Sequence, residues 1–149
     1  MTTLREALGS GDIRKAVIKD ACQVLDQEVS DKSGLTGMAV KAAFAVVKGV
    51  KAGFIPEVVD ALLNDFLDAL EPLHAAAISA GMPPGRFLKD DPGRAAEALL
   101  AVTDRRAMRA ERGVVAKTYE KLRPAAKKHV ESAMPRLAEM LARHLRSEN

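Results

Sequence analysis

The stretch Phe54-Ile-Pro-Glu-Val-Val-Asp-Ala-Leu-Leu-Asn-Asp-Phe-Leu-Asp-Ala-Leu-Glu-Pro-Leu73 decides what kind of chain this is. Val59, Leu62, Leu63, Phe66, Leu70 and Leu73 recur every three to four positions, while Glu57, Asp60, Asn64, Asp68 and Glu71 fill the gaps. An α-helix turns once every 3.6 residues, so this spacing gathers the apolar side chains on one side and the polar ones on the other. Pro56 suits a first helical turn, where its missing N–H goes unused anyway. Pro72 is expected to kink or end the helix, and Gly81 to stop its continuation.

The same period extends towards the N-terminus. Ser10-Gly11-Asp12 supplies helix-start chemistry for Ile13 to Val29, with Val17, Ile18, Ala21, Val24 and Leu25 on one face. Ser33 can then cap a helix from about Gly34 to Lys51. Here Leu35, Ala39, Ala42, Val46 and Val50 form one face, Val40, Phe44 and Val47 carry apolar character round the other side, and Lys41, Lys48 and Lys51 leave a narrow wet edge. A helix apolar nearly all round is ordinarily enclosed by neighbours, so this one is expected at the centre of a bundle. Ala45, Gly49 and Gly53, four residues apart, would admit a close backbone.

Towards the C-terminus, Met82-Pro83-Pro84-Gly85 reads as a hinge, Arg86 to Lys89 as a short helical turn, and Asp91-Pro92 as the cap and first residue of a helix to about Ala110. From Gly113 one stripe holds its phase through Val115, Thr118, Leu122, Ala126, Ala133, Leu137, Met140 and Leu141. Pro124 and Pro135 share the opposite face and predict a bent or twice-broken terminal helix. No segment alternates with period two. The fold class is therefore all-α: a single-domain bundle of about five to seven helices with an apolar central helix and a Pro-kinked C-terminal helix. Residues 1–81 form an acidic half, 82–91 a hinge and 92–149 a basic half.

Composition agrees. Hydrophobic residues make up 48% and aromatic ones 3% of the 149, so the core must be built mainly from Ala, Leu and Val, which suits closely packed helices. Cys22 is the only cysteine, which rules out an intrachain disulfide. The longest apolar tract, Met38 to Val50, is cut by Lys41 and Lys48 and is too short to span a bilayer. Met1-Thr-Thr-Leu-Arg-Glu6 does not read as a secretory signal, so cytoplasm is the expected location. Residues 1–91 carry 10 basic against 13 acidic side chains, and residues 92–149 carry 13 against 7. The two halves are expected to attract each other in the folded chain.

Asp31-Lys-Ser-Gly-Leu35, Pro56-Glu-Val-Val-Asp-Ala-Leu-Leu63, Leu100-Ala-Val-Thr-Asp104 and Tyr119-Glu-Lys-Leu-Arg-Pro-Ala-Ala-Lys-Lys-His-Val-Glu131 resemble a family of small uncharacterised proteins of actinobacteria and myxobacteria. The resemblance spans most of the chain. It implies a bacterial cytosolic protein and supplies no activity and no catalytic residues.

Motifs that carry chemistry are sparse. Glu71-x-x-His74 has the spacing of one half of a carboxylate-bridged di-metal site, yet neither His129 nor His144 has an acid three residues ahead to complete it. Cys22 lies beside an inner helix face, where a lone cysteine is a small hydrophobe. Nucleophile elbow, phosphate loop and zinc spacing are all absent from the sequence, so no catalytic residue, cofactor or metal is assigned. Arg105 to Lys128 is rich in base, and Lys117, Lys121 and Lys128, continued by Arg143 and Arg146, share one flank. Acids interrupt that flank and no aromatic residues interleave for stacking on bases, so a solvated face outweighs nucleic acid or anionic lipid.

Four charged or polar residues fall on apolar faces: Arg14, Glu28, Arg106 and His129, with Tyr119 beside the last. Charge withdrawn from water needs a partner, so Glu28 and Arg106 are expected to pair across the two halves. Glu28, Arg106, Tyr119 and His129 are accordingly the candidate ligand-binding set. The leading expectation is a non-enzymatic protein acting through a protein surface that includes Lys41, Phe44 and Lys48, its partner a second copy or another protein. A small polar pocket and an anionic-surface binder are the alternatives.

Overall fold

The computed structural model describes residues 2–109 and 113–147; the side chains of Val114, Val115 and Ser147 lie outside the description, as do Ala110 and Arg112 of the expected helix end and basic stretch. Seven helices and no strand occur among the described residues. They are α1 (Leu4–Leu8), α2 (Gly11–Asp31), α3 (Gly34–Lys48), α4 (Phe54–Ser79), α5 (Arg86–Asp90), α6 (Pro92–Met108) and α7 (Gly113–Ser147). The chain is an all-α helical bundle, as its periodicity requires.

α4 and α7 organise the rest. α4 packs against α1, α2, α5 and α6, and α7 against α1, α2, α5 and α6. Their inner faces supply Leu63, Leu67, Leu70 and Ala77 from α4 and Met134, Ala138, Met140 and Leu141 from α7, all buried. Pro72, Pro124 and Pro135 lie within unbroken helices and are exposed. A proline on the wet side leaves its orphaned carbonyl to water, so the ladder opens towards solvent and continues. The expected breaks in α4 and α7 do not occur.

The N-terminus contributes more than its sequence suggested. Thr3 Oγ1 accepts from Glu6 N at 3.1 Å and donates to the Glu6 carboxylate at 3.1 Å, which starts a single turn of helix. That turn sends Leu4 and Leu8 fully into the core. Five residues are too few to show a period, which is why α1 was invisible to periodicity. The segment expected as a hinge is also packed: Gly85, Phe87 and Leu88 are all buried.

One expectation is overturned. α3 is not central. It touches only α2 and α4, and Gly37 is its one buried residue. Leu35, Met38, Val46 and Val47 are exposed, and so is Val50 just beyond the helix end. Apolar character all round a helix reports that it can be buried on every side, and here the neighbours cover one side only. The stripe on α7 divides similarly: its C-terminal half enters the core, while Leu122 is exposed and Val115 is outside the described residues.

Candidate functional site

The inward-pointing charges find partners within the chain, different from those expected. Arg14, only 20% exposed, donates from Nε to Asp60 Oδ1 at 2.9 Å, from Nη1 to Gly9 O and Asn64 Oδ1 at 2.8 Å each, and from Nη2 to Asp60 O at 2.8 Å. It clamps the α1–α2 junction onto α4.

Glu28 and Arg106 do not meet. Arg136 takes Glu28, with Nη1 2.6 Å from Oε2, and its Nη2 donates to Asp31. Arg106 is half-exposed and reaches Asp65 at 3.7 Å and the Ala61 carbonyl at 3.4 Å. The reason is topological: α6 packs on α4, leaving the C-terminal end of α2 to α7. His129 lies within the electrostatic reach of Glu28 and Lys32, and its pKa is lowered by burial first and by Lys32 second, against the pull of Glu28. Two of the four candidate ligand-binding residues are therefore neighbours. Glu28 Oε1 is buried without a hydrogen-bond partner among the described residues.

Tyr119 belongs elsewhere, in a network that staples α6 to α7. Its hydroxyl donates to Asp104 Oδ1 at 2.5 Å and sits 2.7 Å from Thr103 Oγ1. Arg123 donates from Nε and Nη2 to the two Asp104 oxygens, at 3.1 and 2.9 Å, and from Nη1 and the shared Nη2 to Glu97, at 3.2 and 3.0 Å. Lys127 adds a third contact to Glu97 at 3.0 Å. The Arg123 and Lys127 hydrogen bonds hold the Glu97 pKa down to about 2, and Arg123 lowers that of Asp104. Burial and Asp104 push the Tyr119 phenol up, so it stays protonated and donates. Each charge has its opposite, and the arrangement is structural.

This network also dissolves much of the basic stretch. Arg106, Arg123 and Lys127 are engaged by acids of the chain itself, whereas Lys117, Lys121, Lys128 and Arg146 are exposed. Arg143 and His144 both reach Asp20, at 3.5 and 2.6 Å. Attraction between the acidic and basic halves is thus realised in named pairs.

Glu71 and His74 point inward. Glu71 Oε1 accepts from the Leu4 backbone N–H at 3.1 Å and so anchors α1. His74 is buried against the Phe87 ring, 6.0 Å between centroids. No group of three or more His, Cys, Asp or Glu able to hold a metal ion occurs among the described residues. Cys22 is half-buried and its thiol pKa is raised, by burial and then by Asp26, so it resists ionisation.

Burial lowers the His74 pKa, with Glu71 opposing. The unfolded chain therefore binds protons on His74 and His129 at a pH where the folded one does not, and stability should fall as pH drops below about 6.5. The slope cannot exceed about 1.4 kcal/mol per pH unit for each histidine. Glu97 does not confound this window, because its contribution is lost only as pH falls from the ordinary carboxylate range towards about 2. Urea midpoints between pH 7.5 and 5.5 should decrease, and less so for His74→Gln; a flat profile contradicts the assignment.

Clefts are shallow. One of about 460 Å³ runs between the Pro83–Lys89 segment and the end of α7, where Arg86, Lys89, Arg143 and Arg146 face Glu139. Another of about 370 Å³ lies between α4 and α6, lined by Asp65, Asp68 and Arg105 with alanines. Neither gathers Glu28, His129 or Tyr119.

What stands out is the outer face of α3. Leu35 is 87% exposed, Val46 73%, Met38 68% and Val50 62%. Ala39, Ala42 and Gly49 lie exposed among them. Leu35, Met38, Ala39, Ala42 and Val46 occupy one side of the helix by its 3.6-residue period, with Gly49 and Val50 following at and just past its end, while Val40 and Phe44, on the opposite side, are half-buried. Phe44 therefore turns away from the face that its position on the wet edge had promised, and Lys48 Nζ stacks over its ring at 5.2 Å. Lys48 pairs with Asp26 at 3.3 Å and Lys51 with Glu57 at 2.9 Å, so two of the three rim lysines are met inside the chain, while Lys41 is exposed to solvent.

Fold and surface together define a helical bundle that carries one bare apolar helix face. Over residues 4–145 the chain matches a family of unknown function (DUF6918), and it belongs to that family. No curated protein and no solved structure matches it. Among the described residues no helix is long and apolar enough to cross a membrane.

Proposed function

We propose that this protein is a non-enzymatic docking module whose contact surface is the outer face of α3. The observation that carries the reading is the 68–87% exposure of Leu35, Met38 and Val46 along one side of α3, continued by Val50, 62% exposed, just past its end. Fully burying a Val, Leu or Met contributes about 1.5–3 kcal/mol, so leaving four bare on one turn after another forgoes roughly 5–8 kcal/mol. A contiguous apolar patch of this kind marks an interaction site. Association costs on the order of 4–15 kcal/mol in lost freedom, and a face of this size contributes usefully against it. The ion-pair networks around Arg14 and Arg123 match each cation with an acid of the chain itself and support structure rather than chemistry. The basic flank of α7 supports the reading less well, since Glu139 interrupts it.

A photo-crosslinking residue placed at Val46 tests this in the native host. A discrete adduct is expected from position 46 and none from the exposed Ser79, at the far end of α4. Absence of any adduct at position 46 above that control removes the docking reading.

A further inference from the structure

We infer that the occupant of the α3 face is a second copy of this chain, packed antiparallel across a dyad beside Ala42. The inference rests on the docking reading above and names its partner.

Residue sizes along the face carry the argument. Outward from Ala42 lie Ala39, Met38 and Leu35 on one side and Val46, Gly49 and Val50 on the other. An antiparallel pair centred there lays Leu35 of one copy over Gly49 of its partner, and Val46 over Met38. Leu35 then fills the space that Gly49 leaves, and Val46 and Met38 meet as an apolar pair. Ala42 meets Ala42 at the middle, where the absence of larger side chains lets the two backbones approach. A two-fold axis makes every such contact twice, so a single bare face is fully covered by its own copy.

Area and charge agree. A bared Leu, Met or Val presents roughly 150–200 Å², so these side chains with their alanines offer about 600 Å² per copy and about 1,200 Å² per pair, the lower edge of specific interfaces. α3 contains no acidic residue, Lys48 and Lys51 are already paired within the chain, and the exposed Lys41 lies on the wet edge, off the apolar face, where it stays in water. Nothing on the face selects a charged partner, and closing two neutral faces strands no charge. A lipid surface fits less well: helices that lie in membranes commonly insert Trp or Phe, whereas this face has no aromatic residue and three of its seven positions are Ala or Gly.

Sedimentation velocity on the full chain should show a dimer forming at micromolar concentration. Val46→Asp should weaken it by at least about 30-fold while leaving the helical circular dichroism unchanged. A second variant needs no disruption: Ala42→Cys in a Cys22→Ala background should close a disulfide between copies in air, and Thr36→Cys should not. In the crosslinking experiment at position 46, the adduct should have the mass of two chains. A wild-type monomer at 100-fold higher concentration, with an adduct of any other mass, overturns the second copy and leaves the docking reading standing. Monomer with no adduct sinks both. Flotation with phosphatidylcholine–phosphatidylglycerol vesicles that Val46→Asp abolishes would also overturn the dimer, in favour of lipid.

Discussion

Gly85→Ala should cost about 4 kcal/mol of folding stability, the largest single effect expected from adding one methyl group to this chain. Gly85 precedes α5 with φ +83 and ψ −16, a left-handed conformation that costs other residues about 1–2 kcal/mol. It is also buried, and a Cβ there would lie 2.6 Å from the Ala138 carbonyl oxygen and 3.4 Å from Ala142 N. Those are backbone atoms of α7, which cannot rotate aside as a side chain would. The seam between α5 and α7 would have to open, and Phe87 and Leu88 with it. Gly81→Ala separates the two causes, because Gly81 has φ +81 and nothing within 4 Å of its missing Cβ. Urea unfolding should give a loss of about 1–2 kcal/mol at Gly81 and at least twice that at Gly85. Equal losses would mean that close approach to α7 is not what pins this glycine.

Arg14→Met should lose about 3 kcal/mol, with a shape similar to arginine and none of its donors. Backbone and side-chain acceptors of two other elements depend on this one guanidinium: Gly9 O after α1, and Asp60 and Asn64 on α4. Asp60 can turn to water, being 58% exposed, but the Gly9 carbonyl and Asn64 are partly buried and would be left short. Arg5→Met is the comparison. Arg5 bridges α1 to Asp68 of α4 at 2.9 Å, yet both partners are about half exposed, and such pairs contribute less than about 1 kcal/mol. If the two variants are equally stable, burial of the Arg14 contacts is not what gives them their weight.

The two predictions share a lesson about where signal resides. That Arg14 lies on an inner face is written in the spacing of its helix, and so is its need for partners. Which partners it finds is not, because Gly9 and Asn64 reach it only once α1, α2 and α4 are docked. Glu28 shows the same division. Its inward position was legible, and its pairing with Arg106 was a guess from charge alone; the contact of α2 with α7 gave it Arg136 instead. Arg136 follows the exposed Pro135 on α7, and nothing local distinguishes it from the other arginines of the basic half.

α3 is the sharpest case. Its composition announces an apolar helix and is silent on how many neighbours enclose it. Phe44 illustrates the point: among lysines it reads as an exposed knob, but the side of the helix that packs on α2 and α4 happens to be Phe44's, so the aliphatic side is left bare.

Sequence by itself determined that this chain folds into helices and roughly where each long helix runs, because a 3.6-residue period is a local property. The tertiary structure alone decided which apolar stripe became core and which stayed outside. Burial depends on the number and placement of neighbours, a quantity that belongs to the packed assembly and to no single helix.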